Sequence, residues 1–227
     1  MLKPKKKITR QEIKKDPVLE WIAKAEIYLR ENAKFLSYIA LGVVVVAVVS
    51  VLLLRSKRTA NLEAAGKLGI AEMALTRGDH ENALIQLEDL IDTYKGTRSA
   101  DMALLLLAQT QLDQGEYESA EGYFNDYIDA RGADPLMLAS AYNGLGICAE
   151  QREDMEAAAD HYAKAAKEAQ YKFQQHEYGI NQIRSLIKLG QFAQAESLVN
   201  RLLEDEPEYQ NRNILQRLSA QIAVHNG

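Results

Sequence analysis

The chain has 227 residues, of which 27 are Lys or Arg and 32 are Asp or Glu, and its formal net charge is −5 at pH 7. A single cysteine, Cys148, rules out an internal disulfide framework. The charge is divided along the chain: residues 1–58 carry 13 basic and 5 acidic residues, whereas the remainder carries 14 basic and 27 acidic residues. An acidic C-terminal part argues against nucleic acid as its partner.

A basic segment poor in apolar residues opens the chain and predicts a mobile cytoplasmic tail over residues 1–16. The tail would either remain solvated and fix the membrane topology, or bind anionic lipid head groups or ribosomal RNA. Asp16 and Pro17 then have the character of an N-cap and a first helical residue. Residues 17–33 predict a short amphipathic helix, whose Trp21 and Tyr28 favour the membrane interface over docking on a partner protein.

Residues 35–54 form a run of twenty residues without a charge, from Phe35 through Gly42 to Leu54. At about 1.5 Å per residue, such a helix is about 30 Å long, the thickness of the hydrocarbon core of a bilayer. A cleaved signal would have a shorter apolar core and a small-residue cleavage site, and a core helix of a soluble domain would show a polar stripe. The run therefore predicts a retained transmembrane anchor.

The basic residues around the run predict its orientation. Ten Lys and Arg precede it, and three follow it directly, at Arg55, Lys57 and Arg58. Because basic flanks remain in the cytoplasm, the N-terminus is expected there and the acidic part on the other side of the membrane. The sequence leaves open whether the helix breaks near residues 56–59.

Four segments of the acidic part align with one another without gaps: 69–91, 106–128, 144–166 and 181–203. Each consists of an apolar-periodic helix, a short turn and a second apolar-periodic helix. The turns begin at Gly78, Gly115, Glu153 and Gly190. Five residues later each segment has an alanine, at Ala83, Ala120, Ala158 and Ala195. A large apolar residue follows after four more positions, at Leu87, Phe124, Tyr162 and Val199.

This spacing, with successive alanines 37, 38 and 37 residues apart, predicts stacked helical hairpins. Glycine after the first helix can take the left-handed conformation that ends it, and alanine would let the two helices approach closely. The large residue, on the same helical face as the alanine, would fill the space between neighbouring hairpins. We therefore predict an all-α fold: one transmembrane helix, an α-solenoid of about four hairpins within residues 60–227, and a C-terminal capping helix over residues 211–224.

The pattern resembles the tetratricopeptide repeat, which has Leu-Gly in its first helix and Ala-x₃-Phe in its second, followed by proline. Leu145-Gly146 matches the first element, and Ala120-x₃-Phe124 and Ala158-x₃-Tyr162 match the second. Pro207 stands at the closing proline position, whereas Ile183 replaces the small residue of the first helix. The resemblance is to a divergent array covering about residues 60–208.

We expect no enzymatic activity, no metal and no cofactor. The four histidines have no metal-ligand spacing, and no glycine-rich phosphate loop follows a strand. Cys148 lies inside a repeat helix and is interpreted as a small buried hydrophobe. Several tyrosines occupy packing positions of the repeats and are interpreted as core: Tyr117, Tyr123, Tyr127 and Tyr162.

The resemblance implies a groove lined by the first helix of each hairpin, where a peptide or a partner surface would bind. The family's groove positions correspond here to Glu72, Gln109, Asn143, Asn181 and Arg184. Ordinary solvated polar side chains are the alternative interpretation of this set. The clamp by which some family members hold acidic chaperone tails is not expected, because Leu68 and Glu72 occupy its first two positions.

The order of parts resembles that of the bacterial ancillary subunit family of the Sec translocon. That resemblance implies a single-pass protein of the bacterial inner membrane with a periplasmic repeat domain, and partners among membrane-complex subunits or periplasmic chaperones. It would be an interaction scaffold near a translocation or envelope-assembly machine. A structural accessory subunit of a large energy-converting membrane complex is the alternative. Signal transmission through the span is also open, although no cytoplasmic output module is visible.

Overall fold

The structure, a computed structural model, describes residues 17–130, 134–205 and 212–226. Within these ranges the regular elements are ten α-helices, which confirms the predicted all-α class. They are α1 Pro17–Glu31, α2 Ala33–Thr76, α3 His80–Thr93, α4 Arg98–Asp113, α5 Tyr117–Asp129, α6 Pro135–Gln151, α7 Met155–Glu168, α8 Lys172–Lys188, α9 Phe192–Asp205 and α10 Arg212–Asn226. The basic tail, the N-cap at Asp16 and Pro207 lie outside the described residues.

The chain divides into two compact units, Met1–Ser56 and Lys57–Gly227. In the first unit, α1 ends at Glu31, two residues before the predicted end of the amphipathic helix. Its two interfacial candidates are exposed, Trp21 to 71% and Tyr28 to 62%. Among the described helices, α2 is the one that is long and apolar enough to cross a membrane, and Phe35, Gly42 and Leu54 all lie in it.

The helix α2 runs for 44 residues from Ala33 to Thr76. It therefore passes through residues 56–59 without a break, which answers the question that the sequence leaves open. No proline interrupts this stretch, so nothing in it removes a backbone donor of the helix. Its last turns form the first helix of the first repeat.

The second unit contains the four predicted hairpins. Their second helices are α3, α5, α7 and α9. The three glycines that begin a turn have the left-handed conformation, as predicted, and Glu153, for which it was not predicted, has it as well. The φ angles are +79° at Gly78, +83° at Gly115, +63° at Glu153 and +72° at Gly190. Glu153 is the one of these four residues that is not glycine. The left-handed conformation costs an L-residue with a side chain about 1–2 kcal/mol, whereas glycine adopts it without this cost.

Replacing Glu153 by glycine should therefore stabilise the protein by up to about 1 kcal/mol, because the relief of strain exceeds the extra entropy of glycine in the unfolded chain. The matched change in the opposite direction, Gly115→Ala, should destabilise it by about 1 kcal/mol. Thermal unfolding of the detergent-solubilised chain, followed by far-UV circular dichroism, measures both. A Glu153→Gly variant that melts below wild type would contradict the assignment of strain to this turn.

The repeat alanines and the large residues that follow them are all buried, as predicted. Two glycines on a first helix allow a second helix to approach closely. Gly144 faces the second helix of the preceding hairpin, and Gly146 faces the second helix of its own hairpin. A Cβ at Gly144 would lie 2.2 Å from Cζ of Phe124, and one at Gly146 would lie 2.6 Å from Cε1 of Tyr162. The small residue of the family's Leu-Gly pair is thus required here by the Tyr162 ring.

The last helix, α10, covers the end of the stack as predicted. Its Leu215, Leu218 and Ile222 are buried and join the apolar cluster formed by α8 and α9. Apolar clusters continue from one hairpin to the next along the second unit, as stacking of incomplete units requires.

Candidate partner-binding groove

The five groove candidates lie on successive first helices: Glu72 on α2, Gln109 on α4, Asn143 on α6, and Asn181 and Arg184 on α8. Each helix presents its candidate because the opposite face is packed against its own hairpin. Glu72, Gln109 and Arg184 are exposed, and Asn143 and Asn181 are half-buried. The structure brings four of the five together and leaves Glu72 apart from them.

A cavity of about 310 Å³ lies between α4 and α6. Gln109 of α4 and Asn143 of α6 both line it, with apolar side chains beside them. The other lining residues are Leu112, Asp113, Phe124, Ser140, Gly144 and Ile147. The exposed lining of this cavity is mainly polar, and convergent polar groups of this kind fix the orientation of a bound ligand or peptide.

The amide groups continue from α6 to α8. Asn181 Nδ2 donates to Asn143 Oδ1 at 3.4 Å, and Arg184 Nη1 donates to Asn181 Oδ1 at 3.2 Å. Gln109, Asn143 and Asn181 therefore form an amide row across three consecutive first helices. Because a carboxamide carries both donors and an acceptor, such a row can pair with the main chain of an extended polypeptide, whatever its sequence.

An ion pair links α6 and α8 two turns beyond the amide row. Lys188 Nζ donates to Glu150 Oε1 at 2.5 Å, and Tyr162 Oη donates to Glu150 Oε2 at 3.0 Å. Burial by itself opposes ionisation of Glu150, but the hydrogen bonds from Lys188 and Tyr162 outweigh it and lower the pKa of Glu150. Burial, followed by the charge of Glu150, raises the pKa of Tyr162.

Because the folded-state pKa of Glu150 is lowered, its ionised form stabilises the fold above the ordinary glutamate pKa of about 4.3, and this contribution is lost as the pH falls through the folded value. Glu150→Gln should lower the free energy of unfolding by about 1–2 kcal/mol at neutral pH, and the difference from wild type should close in acid. Glu177→Gln, an exposed change on α8, is the control. Urea unfolding at several pH values measures both, and a difference that persists unchanged in acid would contradict the ion pair.

Three larger cavities lie elsewhere among the described residues of the second unit and contain none of the groove candidates. One, of about 570 Å³, lies between α7, α8 and α9 and contains His176 and Asp205, with Nε2 and Oδ2 3.4 Å apart. Hydrogen bonds from Lys172 and His176 lower the pKa of Asp205, so its carboxylate is already engaged. Another, of about 670 Å³, has a lining of mixed charge, with Lys57 and Lys95 as well as Asp126 and Asp129. The third, of about 400 Å³, lies between α8 and α9. We favour the smaller cavity between α4 and α6 because it is continuous with the amide row.

The structure also locates the residues that the sequence interprets as core. Cys148, Tyr127 and Tyr162 are fully buried, and Tyr117 and Tyr123 are half-buried. Burial raises the pKa of the Cys148 thiol to about 11, which disfavours the reactive thiolate. Among the described residues, no group of three or more His, Cys, Asp and Glu side chains could hold a metal ion.

Leu112, Ser140 and Ile147 are cavity residues that were not named from the sequence. The sequence contains a pattern that could have identified them as groove residues, because each lies three or four residues from Gln109 or Asn143 on the same helical face. The Asn143–Asn181 and Glu150–Lys188 contacts were also not foreseen. Both pairs are separated by 38 residues, the spacing of the central pair of repeat alanines.

The geometry defines the second unit as an α-solenoid of stacked hairpins with polar side chains along its first helices. Residues 68–137 and 105–172 match the family model of the tetratricopeptide repeat. The hairpins of this part of the chain are therefore tetratricopeptide-like in fold. Proteins built from these repeats are generally interaction scaffolds for other proteins or peptides rather than enzymes.

Solved structures share the fold at low sequence identity. YrrB, a tetratricopeptide-repeat protein described as having an unusual peptide-binding site, is 13% identical with a TM-score of 0.56, over 70% of this chain and 76% of that chain. MamA is 16% identical with a TM-score of 0.54, over 72% of this chain and 87% of that chain. Curated protein sequences give no match. These likenesses concern the fold alone.

Proposed function

We propose that this chain is a membrane-anchored scaffold that binds extended segments of other proteins. The apolar part of α2 is the anchor, in the inner membrane of a bacterium, with the N-terminus in the cytoplasm and the repeats in the periplasm. The scaffold would hold clients or chaperones near a translocation or envelope-assembly machine. The surrounding membrane lipid would contact the span and α1.

The observation that carries the proposal is the amide row beside the cavity between α4 and α6. Asn143 and Asn181, 38 residues apart, supply donors and acceptors at repeat spacing, and Gln109 lines the same cavity as Asn143. Leu112 and Ile147 add apolar surface there. Main-chain pairing with such a row would tolerate many sequences, which suits a scaffold for varied clients. Arg184 at one end, beside the Lys188–Glu150 ion pair, favours segments that carry an acidic residue there.

A photo-reactive amino acid at position 109 tests the groove in intact cells. The matched control carries the same amino acid at Ser119, which is exposed on the second helix α5 of the same hairpin. We expect discrete cross-linked products from position 109, and their loss when Asn143 and Asn181 are both replaced by alanine. Equal products from both positions, or products unaffected by the alanine changes, would reject the amide row as the binding site.

The orientation has its own test, a periplasm-active reporter fused after Gly227. We expect an active reporter, because the more basic flank precedes the span. The same reporter fused before Met1 is the control and should be inactive. A C-terminal fusion that is produced and stable but inactive would overturn the proposed orientation.

A further inference from the structure

One face of α2 is apolar yet exposed in the second unit. Leu62, Ile70 and Met73 are 68%, 57% and 51% exposed. The opposite face of the same helix is packed against α3 and α4 through buried Ala64 and Ala71. The exposed face is the one that a preceding hairpin would cover in a longer array, whereas the other end of the array is covered by α10.

Two glycines on this face have no packing role among the described residues. Each glycine inside a helix costs about 1 kcal/mol relative to alanine. Gly144 and Gly146 are needed, because a Cβ there would strike the ring of Phe124 or Tyr162. At Gly66 and Gly69 a Cβ would meet no described atom within 4 Å. Close approach of a helix from outside the chain would give these two glycines a role.

The spacing of these residues suits a second helix of the same kind. Leu62, Gly66, Gly69 and Met73 follow one another at steps of four, three and four, the pattern of the contact positions of a coiled coil. We name this set the α2 seam. Small residues at its centre permit close backbone approach, and the larger Leu62 and Met73 close its two ends.

The charges that flank the seam are complementary between two parallel copies. In a parallel pair, the residue just before a contact position meets the residue five positions later on the other helix. That rule pairs Arg58 with Glu63 and Glu72 with Arg77 of the second copy. All four side chains are exposed, and Glu63 also accepts a hydrogen bond from Tyr94. Glu72, the groove candidate that lies apart from the amide row, belongs to this surface.

We propose that two copies of this chain pair through the α2 seam, with their α2 helices parallel. A two-fold axis makes the same patch serve both copies, so no other protein is needed to cover the face. Only the parallel direction rests on the proposed anchoring, because two copies anchored in one membrane enter it with the same end of α2. The occupant of the face follows from the seam and its charges.

Single cysteine variants in the full-length chain test the pairing in native membranes under a mild oxidant. In a parallel pair each seam position faces itself, so Leu62→Cys alone and Met73→Cys alone should each form a disulfide-linked dimer. Asn61→Cys, exposed on the neighbouring face, is the control and should give about tenfold less dimer. The buried Cys148 is present in every variant. Wild type, which contains no other cysteine, measures how much dimer Cys148 forms by itself.

A dimer that forms only when Leu62→Cys and Met73→Cys chains are mixed would mean antiparallel helices and would overturn the proposal. Absence of dimer from both variants would overturn it as well. Fractionation of the same samples shows whether the chain is in the membrane, so failure of the anchoring is distinguished from failure of the seam.

Charge reversal gives a second readout that does not depend on cysteine geometry alone. In the Met73→Cys chain, Glu72→Arg should reduce the dimer about two- to fivefold, because it places two like charges together. Adding Arg77→Glu should restore it. A single reversal without effect, or a double reversal that fails to restore the dimer, would reject the predicted charge pairs.

Discussion

Replacing both Val45 and Val48 by aspartate should release the protein from the membrane. Each aspartate near the centre of a membrane helix costs about 2.5–3.5 kcal/mol, so the two changes together exceed what the remaining apolar residues of α2 can offset. Both valines are exposed in the structure, so the change removes no packing contact within the chain. The measurement is the fraction of protein that stays in the membrane pellet after alkaline extraction.

The control for this experiment is Val45→Leu with Val48→Leu, which alters the same positions and keeps them apolar. We expect this variant to stay in the pellet with wild type. A wild-type chain extracted as readily as the aspartate variant would contradict the anchor, and so would an aspartate variant that resists extraction.

Replacing Phe124 by alanine should lower the free energy of unfolding by about 3–5 kcal/mol. The ring is 1% exposed and packs in the cluster that joins α4, α5 and α6, so its removal leaves a cavity between two hairpins. Thermal or urea unfolding of the detergent-solubilised chain measures the loss. A loss below about 1 kcal/mol would contradict the packing described here.

The partner of the Phe124 ring gives a matched test. Gly144→Ala should destabilise the protein by about 1–3 kcal/mol, because the added Cβ would lie 2.2 Å from Cζ of Phe124. Gly122→Ala on α5 has open space and should instead stabilise it by up to about 1 kcal/mol. Combining Gly144→Ala with Phe124→Leu should cost less than the sum of the single changes, since the two sites share one contact.

The positions of the helices and turns within each repeat were predictable from the sequence, because every repeat must meet the same steric requirements. A residue in the left-handed conformation must end each first helix, and a small residue must follow where the helices cross. Gly78, Gly115 and Gly190 indicate a turn because glycine commonly ends a helix. Glu153 is identifiable as a turn residue only because it lies five positions before the repeat alanine Ala158. The buried alanines and the capping helix follow from the same spacing.

The composition of the groove was less predictable because side-chain pairing depends on the stacking angle as well as on the period. The family pattern identified Asn143 and Asn181 as groove positions but did not pair them. Gly144 lies outside the family signature, and its contact with Phe124 depends on how α6 approaches α5. Glu72 has a groove position by alignment, but among the described residues it lies away from the cavity, since that cavity opens between α4 and α6.

Quantitative mass spectrometry of the tagged full-length protein, cross-linked in native membranes and purified in mild detergent, tests the central claim most directly. The comparison is between wild type and the variant with Asn143 and Asn181 both replaced by alanine. The scaffold account predicts partners in sub-stoichiometric, salt-sensitive amounts, which are lost from the variant while the protein itself remains folded in the membrane. A fixed-ratio set of cofactor-bearing membrane proteins that is retained by the variant would contradict it, and would make the chain a structural accessory subunit.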